Sequence, residues 1–188
     1  DIIKKHKCDH ILIITDAGVR SLGLTRRLEN VLTQNGISYC IYDKTVANPT
    51  TENVAEALEL YLSNQCGAII GFGGGSSIDC AKAVGARVAK PKQSLANMKG
   101  ILKVHKRLPL LIAVPTTAGT GSETTLAAVI TDAETRHKYA INDFPLIPKV
   151  VDLPIYASTA CVSASMPVVA VIDGGRLNVT LGSKTAHL

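Results

Sequence analysis

The segment at residues 68–76, Ala-Ile-Ile-Gly-Phe-Gly-Gly-Gly-Ser, decides the fold of this chain. Its first five residues form an apolar run typical of a strand that is buried on both faces. Three consecutive glycines follow, and the residues from Ser76 to about Ala89 are mostly small. Such a composition suits a helix that lies close to a sheet. We therefore predict a buried strand, a tight glycine turn and a helix, in that order.

The glycine turn has the properties of a phosphate site. Gly73, Gly74 and Gly75 let the backbone approach a ligand closely. The following helix offers free N–H groups and the positive end of its dipole. Ser76 is predicted to cap that helix, and Asp79 completes a Ser-x-x-Asp pattern resembling a capping box. We predict that the turn holds the pyrophosphate of a nicotinamide dinucleotide; a purely structural strand–helix turn remains the alternative.

The turn differs from the two best-known phosphate-binding motifs. The usual dinucleotide motif is GxGxxG with an acidic residue about 20 positions later. Here Ser76 replaces the third glycine, and residues 87–96 contain no acid. The lysine of a P-loop is also missing. An ordinary Rossmann motif and a nucleoside triphosphatase are both disfavoured.

A second segment, Thr116 to Thr125, is rich in hydroxyl groups and glycine and follows the apolar run 110–114. Such a segment can surround phosphates and ribose hydroxyls with donors. Both segments follow strands, so in a parallel sheet both would lie at the carboxyl edge, where ligands of open α/β sheets bind. A long capped turn is the alternative interpretation.

The remaining pattern predicts an α/β fold, a Rossmann-like parallel sheet with crossover helices. Further strands are expected at residues 11–14 and 38–42. Helices are expected at 23–35, ending near Gly36, and from Thr51, which we expect to cap the second of them.

Composition disfavours several classes of function. The 188 residues are 46% hydrophobic and 19% charged, with a net charge of +5. The basic residues are scattered, and the densest group, 99–107, is interpreted as a solvated surface. Aromatic residues make up 4%, which disfavours nucleic-acid binding. No apolar run approaches the roughly 20 residues of a membrane span. Five cysteines without a CxxC pair predict reduced thiols and a cytoplasmic protein.

Several motifs together resemble the iron-containing, or group III, alcohol dehydrogenases. The two main strings are GFGGGSSIDCAKAVGA at 71–86 and AVPTTAGTGSETT at 113–125. Shorter matches are ITDAG at 14–18, ANPT at 47–50 and ITDAETRHKYAINDFPLIPK at 130–149. The glycerol and dehydroquinate branches share this architecture, but TAGTGSE favours the alcohol branch.

The resemblance implies a cofactor site made of Asp16, Asn48, Gly74, Gly75, Ser76, Asp79, Thr116, Thr117, Thr125 and Lys138. Asp16 would lie near the adenosine ribose, which favours NAD over NADP; the alternative is a strand terminator or a helix cap. Asn48 would contact the cofactor, or is an ordinary turn residue before Pro49. The glycines and Ser76 would hold the pyrophosphate, the threonines the phosphate and nicotinamide ribose, and Lys138 the ribose.

The resemblance also implies a divalent metal, usually iron, held by one Asp and three His, with a helical carboxy-terminal domain. After Lys149 the sequence has no Asp-x-x-x-His pair, and a stretch like GMDALTHAxE is missing. We expect residues 1–149 to form the dinucleotide-binding domain and residues 150–188 a divergent tail without that helical domain. A frameshift, a divergent segment and a natural truncation all remain open. Residues 168–172 and 177–181 have strand-like sequences.

No metal site is predicted, because His6, His10, His105 and His137 share no ligand spacing and are interpreted as surface residues. No catalytic residue is assigned. The leading hypothesis is the cofactor-binding half of an NAD-dependent dehydrogenase for an alcohol or aldehyde, with little activity of its own. The alternative is a non-catalytic module that binds a dinucleotide or another phosphorylated ligand, or pairs with an intact homologue. Self-association as a homo-oligomer is a further hypothesis.

Overall fold

The computed structural model describes residues 3, 6, 8–117, 119–153, 168–173, 176–181 and 184–187, with side chains as far as Val151. The helices are α1 Ala17–Ser21, α2 Arg26–Gln34, α3 Thr51–Ser63, α4 Gly75–Ala89 and α5 Leu95–Met98, with a 3-10 turn at Phe144–Leu146. The strands are β1 His10–Ile14, β2 Ser38–Tyr42, β3 Ala68–Gly73, β4 Gly100–Ile101, β5 Leu110–Pro115, β6 Ala127–Thr131, β7 Lys138–Asn142, β8 Val150–Leu153, β9 Val168–Asp173, β10 Arg176–Leu181 and β11 Lys184–His187.

The main sheet has the strand order β11-β10-β9-β8-β5-β3-β1-β2. Strands β2, β1, β3, β5 and β8 run parallel, and helices connect most of them. The expected α/β, Rossmann-like parallel sheet with crossover helices is therefore confirmed. A small second sheet, ordered β4-β7-β6, lies beside it.

The central strands are apolar throughout because the sheet is covered on both faces. Every residue of β3 and β5 is buried. One face packs against α3 and α4 through a cluster that includes Leu12, Ile69 and Val84. The other face packs Leu32 of α2 against Ile11 and Ile13. The core thus fixes the strand ends that surround the predicted turn.

Two local predictions need correction. The helix expected at 23–35 begins at Arg26 and is preceded by the separate short helix α1. The cap of α3 is Thr50, not Thr51: its hydroxyl accepts from the Asn53 amide, and the Asn53 side chain accepts in return from the Thr50 amide. Gly36 follows α2 with a φ of 69°, as expected of a glycine at a helix end.

Strand β8 begins at Val150 and pairs with β5 in parallel, so the sheet continues past residue 149. Strands β9, β10 and β11 extend it in antiparallel fashion. The strands expected at 168–172 and 177–181 are confirmed by β9 and β10. The division of the chain into residues 1–149 and 150–188 stays a prediction.

The basic group at 99–107 lies on the surface, as expected: Lys99, Lys103, Lys106 and Arg107 are all exposed. The described cysteines are free thiols; Cys8, Cys66 and Cys80 are buried and Cys40 is half-buried. No helix in the described part of the chain combines the length and apolar character needed to cross a membrane.

Candidate cofactor-binding site

The site is positioned by the order of the parallel strands. Strand β1 lies between β2 and β3, and β3 continues to β5 and β8. This is the doubly wound order in which the connections diverge between the first and third parallel strands, and ligands bind in the crevice at their carboxyl ends. Asp16 follows β1 and Gly74 follows β3. The fold therefore brings both candidate residues to this crevice.

Helix α4 starts in the glycine turn, earlier than the sequence suggested. Its N-cap is Gly74, which has an extended ψ of −176° and no side chain to cap the helix. Ser76 lies inside the first turn, so the prediction that Ser76 caps the helix is wrong. Because no cap side chain covers them, the first N–H groups of α4 are left for a ligand at the positive end of the dipole.

A side chain at Gly73 or Gly75 would crowd the neighbouring serine hydroxyls. Gly73 has a φ of 144°, and a Cβ there would lie 2.7 Å from Ser77 Oγ and 3.2 Å from Asp16 Oδ2. A Cβ on Gly75 would lie 2.9 Å from Ser122 Oγ. The turn is therefore a cradle that stays open because glycine has no side chain. A phosphate needs this space to approach the backbone closely.

The hydroxyl-rich segment lies against this turn. The Thr116 amide donates to the Gly73 carbonyl at 2.8 Å. Thr117 Oγ1 lies 3.4 Å from the position of a Cβ on Gly74, and Thr117 is exposed. The expectation that both segments share the carboxyl edge is confirmed for these residues.

Asn48, Ser76 and Lys138 form a connected group at the same edge. Asn48 has a φ of 57°, and its backbone N–H donates to Ser76 Oγ at 3.1 Å. Lys138 Nζ donates to Asn48 Oδ1 at 2.9 Å. Asn48 and Lys138 are exposed. A turn residue and a lysine 90 positions apart thus meet beside the start of α4.

Asp16 is the N-cap of α1, and its Oδ1 accepts from the Val19 amide at 2.9 Å. The capping interpretation of Asp16 is therefore correct. The second oxygen, Oδ2, faces the turn, as its distance to the Gly73 Cβ position shows. Asp16 is half-buried, so capping leaves a carboxylate oxygen beside the crevice.

Asp79 does not complete a capping box. Its Oδ2 accepts from the Val129 amide at 3.1 Å and so ties α4 to β6. Burial raises the pKa of this carboxyl, although the hydrogen bond and Lys82 oppose the shift. The structure assigns Asp79 a role in holding α4, one turn away from the glycines, against the second sheet.

Lys82 was missed by the sequence analysis. Its side chain is fully buried, and Nζ donates to the Thr125 carbonyl at 2.6 Å, to Thr125 Oγ1 at 3.2 Å and to the Ala127 carbonyl at 2.9 Å. Burial lowers the pKa of Lys82 to about 8, against the opposing charges of Asp79 and Glu123. Thr125, a predicted site residue, is thus anchored to α4 at the end of the hydroxyl-rich segment. The available signal was a lone lysine in a helix of small residues, three positions after Asp79.

A groove of about 710 Å³ lies elsewhere, between α3, the end of α4 and α5. Its lining includes Leu58, Arg87, Leu95 and Asp132 but none of the ten candidate residues. The candidate site is therefore an open edge rich in backbone donors, separate from this groove.

A sequence profile described as iron-containing alcohol dehydrogenase matches residues 1–153. The chain belongs to this family. It is 39% identical over 141 residues to the probable alcohol dehydrogenase EutG of Escherichia coli, covering 75% of this chain and 35% of the relative. It is 37% identical over 139 residues to the NAD-dependent methanol dehydrogenase of Bacillus methanolicus, covering 74% and 36%.

Solved structures of the family share the fold. The crystal structure of a 1,3-propanediol oxidoreductase superposes with a TM-score of 0.77 at 33% identity, over 81% of this chain and 39% of the other. The chain thus spans little more than a third of the length of the relatives it matches.

The described residues do not fit the metal of iron-containing alcohol dehydrogenases. Among them, one group of three or more His, Cys, Asp or Glu side chains could share an ion: His10, Cys40 and Cys66. It lacks the one Asp and three His that the resemblance implies. The prediction of exposed histidines is confirmed for His6, His105 and His137 and wrong for His10, which is half-buried. His187 lies beyond the described side chains.

Proposed function

We propose that this chain binds NAD(H) at the carboxyl edge of its sheet, as the cofactor-binding portion of an alcohol dehydrogenase. One observation carries the proposal: a helix capped by glycine begins at the switch point of a doubly wound sheet, under a hydroxyl-rich segment. A helix N-terminus without a capping side chain offers donors and positive potential to a pyrophosphate. The match to an NAD-dependent methanol dehydrogenase supports the same cofactor.

Each part of the site has a role in this proposal. The first N–H groups of α4, at Gly75 and Ser76, donate to the pyrophosphate. Thr116 and Thr117 extend the donor set from the opposite side. Asp16 accepts a hydrogen bond from a ribose 2′-hydroxyl through Oδ2. The negative charge of the same carboxylate would repel the 2′-phosphate of NADP. NAD is therefore favoured over NADP.

The nicotinamide end of the cofactor meets a second group of side chains, which consists of Asn48, Lys138 and Thr125. Asn48 and Lys138 offer an amide and a cation at the same edge as Ser76. Thr125, held by Lys82, fixes the end of the hydroxyl-rich segment. A bound nicotinamide would supply hydride transfer, taking a hydride from the carbinol carbon of an alcohol or giving one to the carbonyl carbon of an aldehyde. The residues of this chain orient the dinucleotide for that transfer.

Turnover by this chain is expected to be weak. The 188 residues contain no Asp-x-x-x-His pair after Lys149, and the described residues do not fit the family's metal.

Titration of NADH fluorescence with the protein tests binding, and saturation at one equivalent supports it. Alcohol oxidation with added ferrous iron or zinc tests the expectation of weak turnover. Robust metal-dependent turnover would overturn that expectation. Binding without turnover also fits the alternative of a non-catalytic dinucleotide module. Self-association and a cytoplasmic location stay predictions.

Asp16→Ser is expected to reduce the preference for NADH over NADPH about tenfold, equivalent to roughly 1.4 kcal/mol. Serine can still cap α1, so the substitution removes the charge and keeps the local fold. Dissociation constants for both cofactors, measured by fluorescence on each protein, check the prediction. An unchanged ratio, with intact thermal stability, would contradict the role of Asp16.

A further inference from the structure

His10, Cys40 and Cys66 meet at the amino end of the parallel sheet. His10 is the first residue of β1, Cys40 lies in the edge strand β2, and Cys66 precedes β3. Asp16 follows the opposite end of β1. At about 3.3 Å per residue, His10 and Asp16 are separated by roughly 20 Å along the chain. The cluster is therefore separate from the candidate cofactor site.

The three side chains are close enough to share one ion. One ligand atom from each lies within 4.8 Å of the others. The two sulfur atoms are 3.6 Å apart. In a tetrahedral zinc site with Zn–S bonds of about 2.3 Å, two sulfur ligands lie about 3.8 Å apart. The sulfur separation thus already matches that of a zinc site, whereas a disulfide needs about 2.05 Å.

The imidazole of His10 supplies an independent observation. Its Nε2 is buried and has no hydrogen-bond partner among the described residues. Buried polar atoms nearly always have a partner. A neutral imidazole nitrogen beside two thiols is also a preferred third ligand of zinc. One ring nitrogen of His10 lies within 4.8 Å of both thiol sulfurs, and the unpartnered Nε2 shows that the protein does not fully satisfy this imidazole.

We propose that His10, Cys40 and Cys66 bind a thiophilic divalent cation, zinc, with a water molecule as fourth ligand. Two thiolates and one imidazole form the soft donor set that selects zinc over the hard cations. The half-buried state of His10 and Cys40 leaves a path for the ion and for the water. Each thiol loses a proton on binding, and no electron is transferred. The ion would link the edge strand β2 to the starts of β1 and β3.

Zinc and cobalt titrations of the reduced, metal-free chain test this proposal. One equivalent of zinc should bind, and cobalt should give thiolate charge-transfer and tetrahedral ligand-field absorption. Cys40→Ser and Cys66→Ser should each weaken zinc binding about 100-fold or more, and His10→Gln should weaken it measurably. Cys8→Ser is the matched control, because Cys8 packs in the cluster on the other face of the sheet, and it should leave the affinity unchanged. Thermal unfolding without metal checks that every variant folds.

A measurement on the unaltered protein complements the variants. Zinc should slow alkylation of Cys40 and Cys66, read by mass spectrometry, and leave the alkylation rate of Cys8 unchanged. The proposal is overturned if no zinc binds, if binding survives both Cys40→Ser and Cys66→Ser, or if binding is lost in Cys8→Ser. NADH titration is read separately, so failure of this site leaves the cofactor proposal unaffected.

Discussion

Replacing Gly75 with valine is expected to raise the dissociation constant for NADH about 100-fold or more, a loss of roughly 2.7 kcal/mol. Gly75 is the first residue of α4, and a Cβ there lies 2.9 Å from Ser122 Oγ and 3.3 Å from Thr120 Cβ. The valine side chain would occupy the space between the helix N-terminus and the hydroxyl-rich segment. A pyrophosphate could then no longer approach the N–H groups of the first turn.

Gly36→Asn is the matched control, because Gly36 has nothing within 4 Å of its Cβ position and lies at the end of α2. Asparagine tolerates a positive φ better than most residues. The control should bind NADH as the unaltered protein does. Fluorescence titration of both variants, with thermal unfolding alongside, separates a blocked site from a damaged fold. Unchanged affinity in a folded Gly75→Val protein would refute the cradle.

Replacing Lys82 with methionine is expected to lower the free energy of unfolding by about 3 kcal/mol. Three hydrogen bonds disappear, and the Thr125 and Ala127 carbonyls lose the N–H donor that they share, which the neutral amine would still provide. The buried carboxyl of Asp79 loses its neighbouring cation as well. Urea denaturation at neutral pH measures the loss. Lys92→Met, at an exposed lysine, should change stability little.

The effect of Lys82→Met should also depend on pH. The folded protein lowers the Lys82 pKa from 10.5 to about 8. Between these two values the unfolded chain binds more protons than the folded one, so this group makes stability rise with pH. Methionine cannot titrate. The gap between the unaltered protein and Lys82→Met should therefore widen from pH 8 to 10.5, and a constant gap would argue against a buried, ionisable Lys82.

The sheet and the edge that carries the candidate site could be predicted from sequence because both depend on local patterns. Continuous apolar runs mark the strands 11–14, 68–72 and 110–114, since these residues are covered on both faces. Three consecutive glycines and a dense run of hydroxyls mark the ends of β3 and β5. In a parallel sheet such ends must meet at one edge. The position of the candidate site follows from these facts alone.

The tertiary contacts of the site could not be predicted in the same way. A Ser-x-x-Asp spacing predicted a cap at Ser76, but the glycine turn lets α4 begin earlier, and Asp79 instead bonds an amide 50 positions away. Lys82 reaches a carbonyl 43 positions along the chain. The sequence predicted His10 as a surface residue. In the folded chain, Cys40 of β2 and Cys66, which precedes β3, lie beside it. Only the folded chain brings these partners together.

The chain belongs to the iron-containing alcohol dehydrogenases, and its matched part is the amino-terminal portion of that family. The chain spans 35% of EutG and 39% of the 1,3-propanediol oxidoreductase chain. The matched part carries the glycine turn, the hydroxyl-rich segment and the ten candidate residues. Cofactor binding is therefore the property that can be measured directly on this chain.

The most direct test is to follow the backbone amide resonances of the isotope-labelled chain by NMR while NADH is added. Saturable shifts are expected at Gly74, Gly75, Ser76, Thr116 and Thr117, with little change at residues 99–107. Gly75→Val is expected to abolish these shifts. Saturable shifts confined to other parts of the chain, or none at all, would contradict the claim that the carboxyl edge binds a nicotinamide dinucleotide.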